Sequence, residues 1–407
     1  MKNLNQSNNK DFTRSDFLEW FRGLVDSEGS FRVIPIKGVH FGFGFEIGMH
    51  VDDINGLLFI QETLQIGKIS YHKNMAFFRI GRQEELKKII DIFSNAPLNT
   101  SKQLNFLDFK KAFELYTETK NKDILLKLKI DEIISRMNKR RQYSESTIKD
   151  IKITPYWLLG FVEGDGSFSI QKGGNFILVF SITQVSKDLP LLGAIKDFIC
   201  NLPGDYKIRS NHNGGVVNIS TSQSVGNPAS KLGVTNRYFL KNVLVPFFDS
   251  LVWHTKKELD YKDWKTVMNL KETGQHYTTE GYNVICKILS RMNNNRLSTN
   301  SLKVELVDGP LLQIEIDKLL AAPSNLEIKE EGRIFIKSLN KYYSDRSSLS
   351  VELHNEEGLV VNTFGSITDC AKFLSISRAV AGVRLHEKKP VLFNNKLFYI
   401  KRSSETC

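Results

Sequence analysis

The stretch LLGFVEGDGSF, at residues 158–168, spaces its apolar residues as a helix would and then ends on an acid, Asp165, between two glycines. FRGLVDSEGSF, at residues 21–31, has the same pattern, with Gly23 in the place of Gly160 and Glu28 in the place of Asp165. Both stretches are therefore predicted to be amphipathic helices. The C-terminal end of a helix carries partial negative charge and disfavours a carboxylate. An acid at that position in both stretches therefore indicates a compensating cation.

The two stretches belong to a longer internal repeat. ISRMNKRR at residues 134–141 recurs as LSRMNNNR at 289–296, and SKQLNFLDF at 101–109 resembles KKELDYKDW at 256–264, both at an offset of 155 residues. Motifs repeated in the same order predict two halves of one architecture. The predicted organisation is a first repeat at 12–142, a linker at 143–154, a second repeat at 155–296, a connector at 297–350 and a C-terminal module at 351–407.

Each half is predicted to be an α+β unit with a four-stranded antiparallel sheet. In the first half FRVIPIK and FGFGFEIGMH, followed by KISYHKN and AFFRIGR, alternate as paired strands do. In the second half the predicted strands are SFSIQKGG, FILVFSITQ, DYKIRSN and VVNISTS, and SVGNPASKLGVTNRYF is predicted to be a loop before a helix. The connector is predicted to hold a helix around residues 313–320.

Composition and charge favour a globular protein with a polyanionic partner. Of the 407 residues 41% are hydrophobic and 25% are charged, which is ordinary for a folded protein. The net charge of +11 is concentrated in residues 1–300, which hold 41 Lys and Arg against 31 Asp and Glu. Such a surplus favours nucleic acid as a partner, although solubility explains many basic proteins.

Cysteine spacing and the N-terminal sequence exclude several classes of protein. The four cysteines lie far apart without a CxxC pair, which argues against a disulfide framework and a zinc site. No apolar run is long enough to cross a bilayer, and MKNLNQSNNKDFTRS lacks the core of a signal peptide and the Arg-rich character of an import presequence. We therefore expect the protein to be made in the compartment where it acts.

The paired motifs indicate a site for a divalent metal. Gly23 and Gly160 cost their helices about 1 kcal/mol each relative to Ala, so we expect them to let the two helices pack closely. That packing would bring Glu28 and Asp165 together, and Mg²⁺ commonly binds one or two carboxylates together with substrate phosphates. The alternative is that DSEG and EGDG are only polar turns that end a helix.

These motifs resemble those of the LAGLIDADG homing endonucleases in their single-chain form with two repeats, over residues 12–300. The lysine-bearing segments and the SRMN helices are similar to the fungal mitochondrial branch of that family. The resemblance implies a DNA saddle made by two sheets, with Glu28 and Asp165 binding metal. Asp26 and Glu163 are expected to serve helix packing or hydrogen bonding at the helix ends instead.

The resemblance also implies residues that assist catalysis. Lys102 and Lys257 match a basic residue that orders solvent or stabilises phosphate charge, with Lys256 a less favoured choice, or else they are surface lysines. Gln184 matches a position that orients solvent, whereas the first half has Met49 there. Arg22 stands where the motif normally has a small residue. Because of these two departures, an asymmetric or weakened nuclease is an alternative to full cleavage of both strands.

Strand side chains of one parity are expected to contact DNA, although each could equally be plain solvated surface. Arg and Gln can make bidentate contacts to G or A, and Lys mainly meets phosphates. The candidate residues in the two halves are Arg32, Ser70, His72, Arg79, Arg82, Ser169, Gln171, Lys207, Arg209 and Asn218. Because the halves differ in sequence, the predicted target is long and not palindromic.

The C-terminal stretch SITDCAKFLSISRAVAGVRL, at residues 366–385, opens with Ser366 and Asp369 at capping-box spacing and predicts two short helices, the second of which begins at Ser377. Residues 366–402 hold eight basic and two acidic residues. The stretch resembles a small helix-turn-helix module that accompanies intron-encoded nucleases, so we expect a mainly helical module. Arg378, Arg384 and Lys388 are the DNA-contact candidates. The alternative is a helical cap packed on the two repeats.

The sequence as a whole favours a monomeric, Mg²⁺-dependent, site-specific double-strand DNA endonuclease encoded in a mobile intron. An RNA maturase that assists splicing of its host intron, with that intron RNA as partner, is the second interpretation. A third is a DNA-binding regulator without catalysis. The resemblance implies synthesis and action in mitochondria.

Overall fold

The computed structural model of the chain describes residues 12–138, 150–173, 175–206, 215–222, 228–300, 308–329, 333–343 and 351–402. It has two compact units: Met1–Glu272 with Thr279–Ala322, and Thr273–Thr278 with Pro323–Cys407. Most of the predicted linker, residues 143–149, lies outside the described residues. Among the helices described, none has the length and apolar character needed to cross a membrane.

The first repeat has the predicted order of elements. A capping box formed by Thr13 and Asp16 begins its first helix. Its elements are α1 (Arg14–Glu28), β1 (Gly29–Pro35), β2 (Phe41–His50), α2 (Ile54–Leu64), β3 (Lys68–His72), β4 (Met75–Ile80), α3 (Gln83–Asn95), α4 (Lys102–Glu118) and α5 (Ile124–Ser135). The antiparallel sheet has the order β1-β2-β4-β3, which keeps the two predicted hairpins and joins them through β2 and β4.

The second repeat has the same sheet order, β5-β6-β8-β7. Thr154 caps its first helix, and Pro155 occupies the first turn. Its elements are α6 (Pro155–Asp165), β5 (Gly166–Gln171), β6 (Ile177–Val185), α7 (Leu189–Cys200), β7 (Val217–Ser222), β8 (Ala229–Val234), α8 (Arg237–Phe239), a π-helical turn (Leu240–Leu244), α9 (Val245–Asp249), α10 (Lys257–Glu272) and α11 (Thr279–Leu289).

One strand of the second repeat was assigned wrongly from the sequence. ASKLGV, predicted as part of a loop, is the central strand β8, and it pairs with both β6 and β7. The signal is weak because only Leu232 and Val234 are large apolar residues in it, and both are buried. In DYKIRSN, predicted as a strand, Asp205 and Tyr206 lie outside any strand and the remaining residues lie outside the described part of the chain.

The SRMN motifs close each repeat by the same contacts. Arg291 donates two hydrogen bonds to Asp263 on α10, and Arg136 donates to Asp108 on α4 at 3.3 Å. The motif asparagine, Asn138 or Asn293, has a left-handed backbone with φ of 54° and donates its side-chain amide to the carbonyl of Phe31 or Phe168. Asparagine tolerates that conformation better than most residues. These contacts fix the closing segment of each repeat to the strand that follows the motif acid.

The connector contains the predicted helix. This helix, α12 (Gly309–Ala321), buries Leu312 and Ile316 in the core that the two repeats share.

The second unit is not mainly helical, contrary to the prediction. Its two helices, α13 (Ile367–Phe373) and α14 (Arg378–Glu387), have the predicted caps at Ser366 and Ser377. They share a small core with a four-stranded antiparallel sheet that the sequence analysis missed. The strands are β9 (Leu326–Ile328), β10 (Ile334–Ile336) and β11 (Lys341–Tyr342) in one sheet and β12 (Val351–His354), β13 (Val360–Phe364), β14 (Val391–Phe393) and β15 (Lys396–Arg402) in the other.

Candidate active site

Helices α1 and α6 pack along their lengths, and the motif glycines make this possible. A Cβ atom built on Gly23 would lie 2.0 Å from the carbonyl oxygen of Trp157. One built on Gly160 would lie 2.0 Å from the carbonyl oxygen of Trp20. Real Cβ contacts are never that short, so any side chain at either position would push the helices apart. The predicted partnership of the two glycines is confirmed.

Asp26 and Glu163 are buried and serve hydrogen bonding at the helix ends, as expected. Asp26 accepts from the backbone N–H groups of Asn99 and Thr100 at 2.9 and 2.8 Å, and from the indole N–H of Trp157 at 2.8 Å. Glu163 accepts from the backbone N–H groups of residues 254 and 255 and from the Trp20 indole. These two acids therefore hold the helix pair together across the repeat boundary.

Burial raises the pKa of both of these carboxyl groups. For Glu163 it raises the pKa to about 7, because loss of hydration outweighs the hydrogen bonds that the carboxylate accepts. The indole contacts were not predicted from the sequence. Trp20 and Trp157 each stand three residues before the motif glycine, so comparing the two repeats could have revealed them.

Glu28 and Asp165 meet at the C-terminal ends of the two helices. A Cβ atom on Gly164, next to Asp165, would lie 2.1 Å from Ser27 Oγ and 3.2 Å from Glu28 Cγ, so the two helix ends abut. Burial raises the pKa of Glu28, and the charge of Asp165 raises it further. Burial also raises the pKa of Asp165. Two half-buried carboxylates that repel each other are a site prepared for a cation.

Lys102 and Lys257 occupy equivalent places beside the acids. The backbone N–H of each lies 3.3 Å from the hydroxyl of the threonine two residues earlier. Lys102 Nζ donates to the carbonyl oxygens of Val25 and Ser27, where it compensates the negative end of α1. Burial lowers the pKa of Lys102, while the nearby acids oppose that shift. Lys257 lines a cleft that also contains Glu28.

Lys256, the less favoured candidate for the role of Lys257, makes a different set of contacts. Its Nζ lies 3.4 Å from Asp52, and its backbone N–H donates to Asp53 at 2.8 Å. In the first repeat Ser101 N–H donates to Asp188 at the same distance of 2.8 Å. Asp53 and Asp188 therefore make reciprocal contacts between the repeats that the sequence analysis missed. Each stands four residues after Met49 or Gln184, which is the signal that could have revealed them.

Strand register shows that Met49 and Gln184 are equivalent. Gly29 pairs with Ile47 and Gly166 pairs with Ile182, and two residues further along each strand lie Met49 and Gln184. Gln184 Nε2 donates to Asp165 at 2.6 Å, whereas the buried Met49 offers Glu28 no donor. The asymmetry noted in the sequence is thus present at the acids themselves.

Arg22, the other departure from the motif, is buried, and its hydrogen-bond partners do not include Glu28 or Asp165. It donates to the carbonyl oxygens of Pro97 and Lys152, each at 3.0 Å, and pairs with Glu19 at 2.7 Å.

The sheets each leave one face outside the core. On the first sheet this face carries Arg32, Ser70, His72 and Arg79, together with Glu46 and Lys68, which the sequence analysis did not select. On the second it carries Ser169, Gln171 and Asn218 with the unselected Lys231. Arg82 lies after β4 rather than in it, with its side chain 72% exposed. Lys207 and Arg209 lie outside the described residues.

The three DNA-contact candidates of the C-terminal module all lie on or next to α14. Arg378 begins the helix and is exposed, Arg384 is in its last turn, and Lys388 follows it in a left-handed conformation with φ of 54°.

Comparison with known proteins identifies the family. A family model described as LAGLIDADG endonuclease matches residues 21–113 and 158–268, which together make up half of the chain. The chain belongs to the LAGLIDADG endonuclease family. The two matched segments lie within the two repeats that the sequence predicts, and they contain Glu28 and Asp165 respectively.

Three relatives of this LAGLIDADG protein come from fungi. It is 26% identical to an uncharacterized mitochondrial protein, RF1, of Saccharomyces cerevisiae, over 98% of this chain and 83% of that protein. It is 31% identical to the probable intron-encoded endonuclease Cox1-I1b of Schizosaccharomyces pombe, over 52% of this chain and 57% of the relative. The probable intron-encoded endonuclease 3 of Neurospora crassa is 28% identical over 66% and 53%. The chain thus spans little more than half the length of the last two.

Solved structures of LAGLIDADG endonucleases are similar to the first unit. I-GzeII in complex with its DNA target has a TM-score of 0.58 and 25% identity, over 68% of this chain and 99% of that chain. I-SmaMI bound to uncleaveable DNA has a TM-score of 0.59 and 26% identity, over 69% and 98%. A further I-SmaMI structure contains uncleaved DNA with calcium ions.

Proposed function

We propose that this protein is an intron-encoded, site-specific endonuclease that cleaves both strands of a long, non-palindromic DNA target with Mg²⁺. The observation that carries the proposal is the meeting of Glu28 and Asp165 at the abutting ends of α1 and α6. Membership of the LAGLIDADG family supports the reaction class. The structures of I-GzeII and I-SmaMI with DNA support duplex DNA as the substrate.

The two motif acids fit a divalent metal. Their pKa values are raised by burial and, for Glu28, by the other acid, so a dication would relieve the cost of ionising both. Among the described residues no three His, Cys, Asp or Glu side chains are grouped to hold a metal by themselves. Two carboxylates completed by water and substrate phosphate are a ligand set that Mg²⁺ accepts. When bound, the metal supplies Lewis-acid stabilisation and a more acidic water.

Three further side chains have roles in the proposed reaction. Gln184, hydrogen-bonded to Asp165 at 2.6 Å, fixes the orientation of that carboxylate and is placed to orient a water. Lys102 and Lys257 bring positive charge to the acids, where a phosphate gains negative charge in the transition state. Lys102 is held by carbonyl oxygens of α1, so its position is fixed before substrate binds.

One chain contains both acids, so we propose that the monomer is the active unit. The exposed side chains of the two sheets are proposed to contact the target, and Arg378, Arg384 and Lys388 of the second unit to add affinity. The relatives from fungal mitochondria support action in that organelle. The host intron's RNA stays a predicted partner, to be tested with the same purified protein.

The test is cleavage of the host gene's intronless junction by the full-length protein, in Mg²⁺ and in chelator. We expect metal-dependent scission of both strands, and Glu28→Gln and Asp165→Asn should each abolish cleavage of at least one strand while binding persists. Loss of folding in both variants would make the acids structural. Tight binding of the junction without a cut in any metal would contradict the proposal, and the intron RNA would be the next substrate.

A further inference from the structure

The exposed faces of the two sheets differ sharply in chemistry. On the first sheet Glu46 lies between two arginines: Arg32 on the neighbouring strand β1 and Arg79 on β4. Both guanidinium groups donate to the same carboxylate oxygen, Glu46 Oε2, with Arg79 Nε at 3.1 Å. We call these three residues the arginine pair with its carboxylate. Salt bridges on an exposed surface add little stability, so a gain in stability does not explain why two arginines share one carboxylate here.

Arg79 is held in one orientation by three partners. Besides Glu46, its Nη1 donates to Ser70 Oγ at 2.9 Å, and its guanidinium lies 4.4 Å from the centroid of the Phe77 ring. Within the described part of the chain the two N–H groups of Nη2 have no hydrogen-bond acceptor. The Arg79 and Arg32 side chains are 43% and 41% exposed, so both present donors to the surface. A guanidinium fixed in this way loses little entropy when it binds.

The second sheet presents hydroxyl and amide groups instead. Strands β5 to β8 contain no Asp, Glu or Arg, and their one charged residue is Lys231. The polar side chains on the exposed face include Gln171 and Asn218, at opposite edges of the sheet. Apart from the buried Ser181, the others are Ser167, Ser169, Thr183, Ser220 and Ser222.

These two chemistries select different bases. Arginine makes bidentate hydrogen bonds to guanine O6 and N7, and a neighbouring carboxylate can accept from the amino group of the paired cytosine. Glutamine and asparagine make bidentate bonds to adenine. We infer that the DNA target is asymmetric, with guanines in the half that contacts the first sheet and adenines in the half that contacts the second. Glu46 is the residue that aims both arginines at guanine. This inference rests on the proposed function, since it assumes duplex DNA as the substrate.

The test is selection of bound sequences from a random duplex pool by the full-length protein in chelator, so that no cleavage is required. Wild type should recover a long site with guanines in one half. Glu46→Gln keeps the shape of the side chain and removes its charge, which weakens its hold on both arginines because only neutral hydrogen bonds remain. We expect it to lower the preference for guanine about 10-fold in that half, because one good bidentate pair contributes a discrimination of that order.

Two matched variants separate base selection from general charge. Arg82→Ala removes a positive charge that lies outside the strands, and it should weaken binding without changing the recovered bases. Gln171→Ala should relax adenine selection in the other half and leave the guanine half as it was.

A specific site without guanine, or one that is unchanged in Glu46→Gln, would overturn this inference and leave the endonuclease proposal standing. Recovery of no specific sequence at all would overturn both.

Discussion

The contact between Gly23 and the opposite helix makes a quantitative prediction. In Gly23→Ala the new Cβ would lie 2.0 Å from the Trp157 carbonyl oxygen, and ordinary contact begins at about 3.4 Å, so the helices must part by about 1.4 Å. That displacement strains the buried bond from Trp157 to Asp26, now 2.8 Å long. Overpacking costs about 1–3 kcal/mol, and weakening a buried hydrogen bond to a charged group adds about 2 kcal/mol.

The substitution has an opposing effect on the helix itself, which would make the variant more stable if the two helices were not in close contact. Replacing Gly by Ala in a helix interior stabilises it by about 1 kcal/mol. The net expectation is therefore a loss of about 3 kcal/mol, or roughly 5 °C in melting temperature for a unit of this size. Cleavage should fall further, by about 100-fold at temperatures where the variant is folded, because a displacement of about 1 Å misplaces the acids.

The assay compares thermal melting and single-turnover cleavage of Gly23→Ala with those of a matched control. Gly193→Ala, in α7, is that control because its Cβ would meet nothing within 4 Å. It should leave cleavage unchanged and raise stability by up to about 1 kcal/mol. If Gly23→Ala behaved like Gly193→Ala, the close helix contact and the position it gives the acids would be refuted.

Three further predictions concern the asymmetry, the pH dependence and the tail. Met49→Gln should speed cleavage of the slower strand by giving Glu28 a donor, and an unchanged ratio of the two strand-specific rates would contradict this. Burial raises the pKa of Glu163 from 4.5 to about 7, so between those pH values the folded state holds a proton that the unfolded state has lost, and the free energy of unfolding should fall as pH rises through that window. Glu163→Gln should not show this loss. Equal slopes of melting temperature against pH for wild type and variant, from pH 5 to 8, would refute the prediction. Replacing Arg378, Arg384 and Lys388 together by Ala should weaken DNA binding and lower the slope of log affinity against log salt by up to about 3, and an identical slope would remove the tail from the interface.

The position of the two motif acids was predictable because the pattern that contains them is local and repeated. Glu28 and Asp165 each end a motif whose glycine and apolar residues lie within a few positions, so two copies reveal both the helix and its unusual end. The equivalence of Met49 and Gln184 followed from the same repeat and agrees with the strand register.

The contacts that cross between the repeats were not predicted. Asp53 and Asp188 stand in short turns after strands, and their partners lie 203 and 87 residues away in the chain. No pattern within one repeat identifies such a pair, although comparing the repeats places each acid four residues after Met49 or Gln184.

Short strands were the other loss. β8 and β12 each contain only two large apolar residues, which are too few to make their alternation recognisable in the sequence. The capping signals at Ser366 and Ser377 correctly predicted where the two helices begin, but they carry no information about the sheet on which these helices pack. Glu46 was not predicted because an acid is unexpected on a surface proposed to bind a polyanion.

The most direct test of the central claim is a count of the metal ions bound at the paired acids. The protein would be mixed with its target duplex, made with non-hydrolysable linkages at the scissile positions, and bound Mn²⁺ would be measured by electron paramagnetic resonance. We predict that wild type binds Mn²⁺ in the complex and that the double variant of Glu28→Gln with Asp165→Asn loses this ion while still binding DNA. The same bound Mn²⁺ in the double variant would contradict the account.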